Sequence, residues 1–288
     1  AWPKLRRDPA ARAIFGRGKK PLGQGDKLKQ LDLAKTLEAI AAHGDAGFYE
    51  GAVADKIARA MKTHGGYLTA DDLKGYRVRD REPLRFSYRG FSVMTMPPPS
   101  MGGIAVAEIL LTLERLGAHE APVDSGLSLH LFVEASRRAY ADRRHAGVDP
   151  DFVGAQTVSS RIEGLLSPER LATRAPAIDP ERATPSRLIV PAAQAAAAAE
   201  SPETTQFSVV DAAGNAVSCT TTQSAGYGSK IVIPGTGVLL GNSMGAFSPR
   251  GDNEVAPGKR MASSMSPTIV SQGDKVVLVL GSPGGDTI

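Results

Sequence analysis

The sequence changes character at Thr204, and this change restricts the folds open to the chain. Before Thr204, apolar residues recur at helical spacing between glycines. After it, short runs alternate apolar residues with polar ones, and Gly and Pro separate the runs. A helical region followed by a strand-rich region predicts the α+β class, in layers, with an antiparallel sheet packed against helices.

The helical region shows where its elements begin and end. Helical spacing predicts one helix ending before Gly44 and another ending before Gly65. Thr69 with Asp72 three residues later predicts a capping box. The apolar period then changes to two, which predicts a hairpin over 84–93. Two long helices are predicted beyond it, with apolar positions over 104–116 and 129–140.

The strand-rich region predicts a second hairpin. The segment TTQFSVVDAAGNAVSCTTT alternates on both sides of DAAGN, whose Asp, Gly and Asn are turn formers. Further strands are predicted at IVIPGTGVLL, MSPTIV and KVVLVLG. Between the two regions the pattern is weak, and four prolines followed by AAQAAAAAESPE predict a low-complexity linker.

Charge and cysteine usage exclude several classes of function. Lys+Arg 34 against Asp+Glu 30 gives a net charge of +4, with basic and acidic residues intermixed, so no nucleic-acid partner is expected. One cysteine and five scattered histidines exclude a disulfide framework and predict no metal site. No run of 18 apolar residues occurs, which predicts no membrane span. Two arginine pairs and their neighbouring acids predict a salt-bridged, solvated helix face: Arg137-Arg138, Arg143-Arg144, Glu134 and Asp142.

Thr204 opens a predicted strand directly after the linker, and this position is a candidate for a catalytic nucleophile. A hydroxyl is a weak nucleophile unless a base lies next to it, and a free α-amine with a pKa near 8 can be that base. A cut between Glu203 and Thr204 would place nucleophile and base on one residue. On its own, a threonine is also a common first residue of a strand.

A family resemblance gives these residues a role. TTQFSVVDAAGNAVS, YGSKIVIPGTGVLLGNSM, KRMASSMSPTIV and GSPGG resemble the small subunit of gamma-glutamyltransferases. Upstream, GGYLTADDLKGYRV, YRGFSVMTMPPPSMGGI and EASRRAYADR resemble the second half of that family's large subunit, in the same order. The resemblance covers 25–288. It implies an N-terminal-nucleophile hydrolase with a layered αββα sandwich, made as one precursor that cleaves itself between Glu203 and Thr204.

The resemblance also implies the catalytic residues. Thr204 is the expected nucleophile, both in processing and in catalysis. Thr222 matches the family residue that hydrogen-bonds the nucleophile, although alone it is typical of an ordinary strand threonine. Gly284 and Gly285 match an oxyanion hole, since glycines let backbone N–H groups converge on a developing negative charge. Without the resemblance, GSPGG predicts only a loop.

The donor-binding residues match the family in part. Ser263 and Ser264 match the serine pair that binds the donor carboxylate, and alone they predict a polar loop. Where the family places an Asn, a Gln and an Asp around the donor ammonium, this chain has Ser224, Ser243 and Ala246. Ser224 and Ser243 remain candidate substrate-binding residues with one hydroxyl each, whereas Ala246 carries no charge.

One further departure lies beside the nucleophile. The histidine that commonly follows the TT pair is replaced by Gln206. The chain therefore retains the residues that match the family's catalytic machinery. The substitutions at the donor-binding positions put specificity for glutathione-like donors in question.

The resemblance divides the chain into three parts that form one integrated structural domain. Residues 1–190 match the C-terminal part of a large subunit, 191–203 form the linker, and 204–288 match the N-terminal part of a small subunit. We expect the family's large subunit to begin before Ala1 and its small subunit to continue past Ile288. Implied partners are the two subunits of one precursor and a small acyl amide or glutathione-like substrate. No cofactor is implied, and a periplasmic or secreted location is the family expectation.

Three functions remain open from the sequence. The first is a self-processing gamma-glutamyltransferase-like amidohydrolase with an altered donor pocket. The second is an acylase for other side-chain amides such as glutaryl, which would not need an acid at position 246. The third is a catalytically silent homologue that stays uncleaved.

Overall fold

The computed structural model describes residues 1–192 and 203–285. Its internal contacts define two compact units. The first contains Ala1–Asp80 and Gln223–Asn242, and the second contains Arg81–Thr222 and Ser243–Ile288. The proposed division into a large-subunit-like region, a linker and a small-subunit-like region stays a prediction, and linker residues 193–202 lie outside the described residues.

The first unit is built mainly from helices. The helices predicted before Gly44 and Gly65 are confirmed, and Thr69 and Asp72 form the expected capping box. The elements are α1 Trp2–Leu5, α2 Pro9–Phe15, β1 Gly16–Arg17, β2 Lys20–Pro21, α3 Leu31–His43, α4 Ala46–Tyr49, α5 Gly51–Thr63 and α6 Ala70–Gly75.

IVIPGTGVLL belongs to this unit, and the prediction that it forms a strand of the main sheet was wrong. It makes one isolated bridge, between Val232 and Leu239. Ile233 is fully buried against Val53 and Ile57 of α5. Its apolar residues are therefore buried by helices rather than by a sheet, a distinction that a short apolar run does not make by itself.

The second unit combines a four-stranded sheet, a separate hairpin and several helices. The sheet has the order β3-β4-β7-β8, with every neighbouring pair antiparallel, and it includes the hairpin predicted over 84–93. The elements are β3 Leu84–Tyr88, β4 Phe91–Thr95, α7 Gly102–Arg115, α8 Gly126–Asp142, α9 Pro150–Val153, α10 Ala155–Leu166, α11 Pro168–Arg174, β5 Thr205–Val210, β6 Ala216–Thr221, β7 Thr268–Gln272 and β8 Lys275–Leu280. None of the helices in the described part of the chain is long and apolar enough to cross a membrane.

Helices α9, α10 and α11 lie in the stretch where the sequence pattern was weak. Helices α9 and α11 are short, and each starts with a proline that follows a capping side chain, Asp149 or Ser167. In α10, Leu165 packs with Ile104 of α7. Because α9 has no buried apolar position, α11 has one and α10 has two, periodicity alone did not reveal these helices.

Helix α8 buries the face that carries its charges, which corrects the prediction of a solvated face. Glu134, Arg138 and Asp142 are at most 5% exposed, whereas Leu129 and Phe132 are at least half exposed. The predicted ion pairs of Glu134 do form, and its Oε2 lies 2.7 Å from Arg138 Nη1. Asp142 instead pairs with α11, its Oδ2 lying 2.6 Å from Arg170 Nη2. Burial is possible because each charge has a partner of opposite sign.

Two buried carboxyl groups in this region have strongly shifted pKa values. Burial raises the pKa of Glu108, on α7, to about 8, and the nearby charge of Asp142 adds to the effect. Burial also acts to raise the pKa of Glu134, but hydrogen bonds from Thr184, Arg138 and Arg137 outweigh it and lower the value to about 2. The pKa values of these two glutamates are therefore shifted in opposite directions.

Candidate active site

The β5-β6 hairpin brings Thr204 and Thr222 together through its register. Thr205 pairs with Thr221, so the next residues outward, Thr204 and Thr222, face each other at the open end. The predicted turn is confirmed: the Asp211 carboxylate accepts hydrogen bonds from the backbone and side chain of Asn215. The separation of 18 residues between the two threonines thus follows from the length of the hairpin.

Three groups form a hydrogen-bonded chain at this end. The Thr204 hydroxyl donates to Thr222 Oγ1 at 3.1 Å, and the Thr222 hydroxyl donates to the Glu203 carbonyl oxygen at 2.6 Å. Thr204 is partly buried and Glu203 is exposed. The predicted nucleophile, the predicted orienting residue and the carbonyl of the predicted cleavage site are therefore in one network.

The segment after β8 contains the predicted oxyanion glycines. Gly284 has φ 147° and Gly285 has φ 60°, both in the range that residues with a side chain rarely adopt. These two positions therefore favour glycine for conformational reasons. Their role as oxyanion donors stays a prediction from the resemblance.

Ser263 and Ser264 lie on a segment braced by the loop before α7. The Ser263 N–H donates to the Pro99 carbonyl at 3.1 Å, and the Ser263 carbonyl accepts from the Met101 N–H at 2.6 Å. Ser264 is 1% exposed. A Cβ on Gly102 would lie 2.3 Å from the Ser264 carbonyl oxygen, so that position requires glycine. The PPPSMGG sequence thus serves as a rigid support for the serine pair.

Ser243 and Ala246 lie on a short turn, and Asn253 links this turn by hydrogen bonds to the segment that carries Ser263 and Ser264. Asn253 donates from Nδ2 to the Ala246 carbonyl at 2.8 Å and accepts at Oδ1 from the Ala262 N–H at 2.8 Å. Asn253 is 8% exposed. The sequence analysis did not single out Asn253, and its spacing gives no signal, because its partners lie seven and nine residues away in irregular segments.

The remaining predicted residue, Ser224, belongs to the first unit, whereas all the others belong to the second. Its φ of 63° places it in the left-handed region. The structure therefore joins Thr204 with Thr222 directly and holds Ser243 and Ser263 on segments linked through Asn253. Roles for these residues in substrate binding remain predictions.

Comparison with known proteins identifies the family. The family model described as gamma-glutamyltranspeptidase matches residues 1–288. The chain belongs to this family. It is 40% identical to the glutathione hydrolase proenzyme of Pseudomonas sp. (strain A14), over 96% of this chain and 49% of that protein. It is 36% identical to the acylase ACY 1 proenzyme of Pseudomonas sp. (strain SE83), over 97% of this chain and 49% of that protein.

A solved relative supports the family's fold. The structure of a cephalosporin acylase from Bacillus halodurans matches with a TM-score of 0.75 and 28% identity, over 94% of this chain and 47% of that one. The predicted family and the α+β fold of the N-terminal-nucleophile hydrolase type are thereby confirmed. The chain spans about half the length of the curated relatives it matches.

Proposed function

We propose that this protein is a self-processing threonine amidohydrolase or acyltransferase that cleaves gamma-glutamyl amides or a related acyl amide. The observation that carries the proposal is the chain of hydrogen bonds from Thr204 through Thr222 to the Glu203 carbonyl. Family membership and a proenzyme relative at 40% identity support it.

Processing follows from this geometry. The Thr204 hydroxyl oxygen attacks the Glu203 carbonyl carbon, and the Thr222 hydroxyl stabilises the negative charge that develops on the carbonyl oxygen. The C–N bond then breaks, the Thr204 nitrogen takes up the hydroxyl proton, and an ester links Glu203 to Thr204 Oγ1. Water hydrolyses the ester to a Glu203 carboxylate and a Thr204 with a free α-amine.

Turnover uses the amine that processing releases. The α-amine accepts the Thr204 hydroxyl proton while Oγ1 attacks the substrate amide carbonyl. Backbone N–H groups at Gly284 and Gly285 stabilise the tetrahedral oxyanion in the family's manner. The leaving amine takes the proton, and water or an acceptor amine then removes the acyl group from Thr204.

The donor pocket favours a second candidate within the same chemistry, an acylase for amides such as glutaryl amides. Ala246 offers no charge to a donor ammonium, and its carbonyl oxygen already accepts from Asn253. A relative that is an acylase proenzyme, at 36% identity, and the likeness to a cephalosporin acylase support this candidate. Ser263 and Ser264 supply hydroxyls for a carboxylate in either donor.

Mass and activity measurements test the proposal. Intact mass of the purified protein should show two fragments meeting at 203/204, and Thr204→Ala should remain one uncut chain. Gamma-glutamyl and glutaryl anilides, assayed side by side, then separate the two donor classes. An uncut wild-type protein without amidase activity would instead establish the silent homologue, and cutting of Thr204→Ala at the same bond would show that an external protease acts.

A further inference from the structure

We propose that Gln206 is a positioning residue that ties the oxyanion segment 281–285 to the strand that carries the nucleophile. The inference rests on the proposed function, because it assigns Gln206 a task within the same site. The amide would keep Thr204 and the glycine pair in a constant relative placement during acyl transfer.

Gln206 and Thr204 lie on the same face of the hairpin, because they hydrogen-bond with Thr220 and Thr222, two residues apart on the opposite side. Both ends of its amide are engaged by β6. Oε1 accepts a hydrogen bond from the Thr220 hydroxyl, and Nε2 lies 3.0 Å from Ser218 Oγ. The side chain is therefore held across the two strands of the hairpin.

The same amide reaches the end of β8. The Ser218 hydroxyl, which accepts from Gln206, donates to the Leu280 carbonyl at 2.7 Å. A Cβ on Gly281 would lie 2.4 Å from Gln206 Oε1, so the Gly281 backbone packs directly against the amide. One hydrogen-bonded relay and one close contact thus connect the hairpin to the residues that lead into Gly284.

The hydrogen-bonding pattern of a glutamine side chain does not change with pH. Its amide has an acceptor for Thr220 and a donor for Ser218 at the same time. A neutral imidazole could do the same, but an imidazolium has two donors and no acceptor. Among the described residues, the groups that hydrogen-bond to or pack on the Gln206 side chain are hydroxyls, a carbonyl oxygen and a glycine, none of which titrates near neutral pH. The Thr204 α-amine that processing releases lies two residues away in sequence and titrates near pH 8.

The first test removes the hydrogen bonds and keeps the volume, with Gln206→Met in the full chain. Oxyanion donors act mainly in the transition state, so kcat should fall about tenfold while KM stays within about twofold. Hydrogen exchange of backbone amides over 279–285 should become faster. Gln272→Ala, at the end of β7, is the matched control and should change neither measurement.

The second test introduces a titratable group with Gln206→His. Because the imidazolium cannot accept from Thr220, kcat should fall as pH drops below about 6.5, the ordinary pKa of histidine. The wild-type kcat should follow only the Thr204 α-amine, with its ordinary pKa near 8, and should lack the additional fall below about 6.5. A purely structural residue would not transfer its own titration to kcat.

The outcomes separate this inference from the proposed function. Wild-type kcat and unchanged hydrogen exchange in Gln206→Met would overturn the inference alone. A processed wild-type protein that cleaves no acyl amide would overturn the proposed function, and faster exchange over 279–285 in Gln206→Met would still support the positioning contact. Unchanged exchange in that case would overturn both.

Discussion

At the scale of single residues, Thr222 carries two tasks with one hydroxyl. It accepts from Thr204 and donates to the Glu203 carbonyl. We expect Thr222→Ala to slow both processing and acyl transfer by about tenfold to a hundredfold, since a lost hydrogen bond at a developing charge is worth about 1 to 3 kcal/mol. A denaturing gel over time measures the first rate, and anilide turnover the second. The neighbouring variant Thr221→Ala is the control, and equal rates in both variants would contradict the role.

A second prediction at this scale concerns the donor ammonium. Ala246→Asp combined with Ser243→Gln should raise kcat/KM for a gamma-glutamyl anilide by about tenfold or more relative to its glutaryl analogue, because a charge-assisted hydrogen bond contributes about 1.5 to 3 kcal/mol. The wild-type protein should turn over glutathione poorly. Equal gains for both donors would show that other groups recognise the ammonium.

At the scale of elements, the N-terminus of α7 packs closely against the segment that carries Ser263 and Ser264. Gly102→Ala would place a methyl group 2.3 Å from a backbone oxygen of Ser264, so one of the two segments must move. We expect a loss of about 1 to 3 kcal/mol in the free energy of unfolding, measured with urea, and a higher KM for the donor.

Gly164→Ala is the matched control within another helix. The added Cβ meets no atom within 4 Å, and alanine has the higher helix propensity, so this variant should gain up to about 1 kcal/mol. Equal stability changes in the two variants would show that the contact with Ser264 is not tight.

At the scale of the whole molecule, the carboxyl groups of Glu108 and Glu134 make the free energy of unfolding depend on pH. The pKa of Glu108 is raised from 4.5 to about 8, so the folded chain keeps a proton that the unfolded chain releases between those pH values. Its contribution to stability is complete below pH 4.5 and decreases, by up to about 1.4 kcal/mol per pH unit, as pH rises to about 8.

The variant Glu108→Gln tests this dependence, since it carries no proton to lose. Its free energy of unfolding should decline less between pH 5 and pH 8 than that of the wild-type protein, as measured by urea titration at each pH. Glu169→Gln, on the exposed side of α11, should keep the wild-type slope. An unchanged slope in Glu108→Gln would mean that the carboxyl is already ionised at neutral pH.

The contribution of Glu134 to the free energy of unfolding changes with pH in the opposite direction, and it does so at low pH. Its pKa is lowered to about 2, so its contribution is present above pH 4.5 and is lost as pH falls towards 2. Glu134→Gln should therefore be less stable than the wild-type protein at neutral pH, and the difference should shrink on acidification. A constant difference between pH 6 and pH 3 would contradict the assignment.

Local patterns in the sequence were enough to predict the elements that depend on neighbours in the chain. Helices α3 and α5, the capping box at Thr69 and the β5-β6 turn are determined by periodicity and turn chemistry over a few residues. The pairing of Thr204 with Thr222 follows from that turn. Family resemblance then supplied the expected roles of the two threonines.

Only the tertiary structure decided the contacts between residues that are distant in sequence. Gln206 against Gly281 and Gly102 against Ser264 join segments with no local pattern in common. The buried Asp142 of α8 likewise pairs with another element, through Arg170 of α11. Periodicity shows which residues share a face of a helix or strand, but the free energy of burying a charge or amide depends on the partner that the fold supplies.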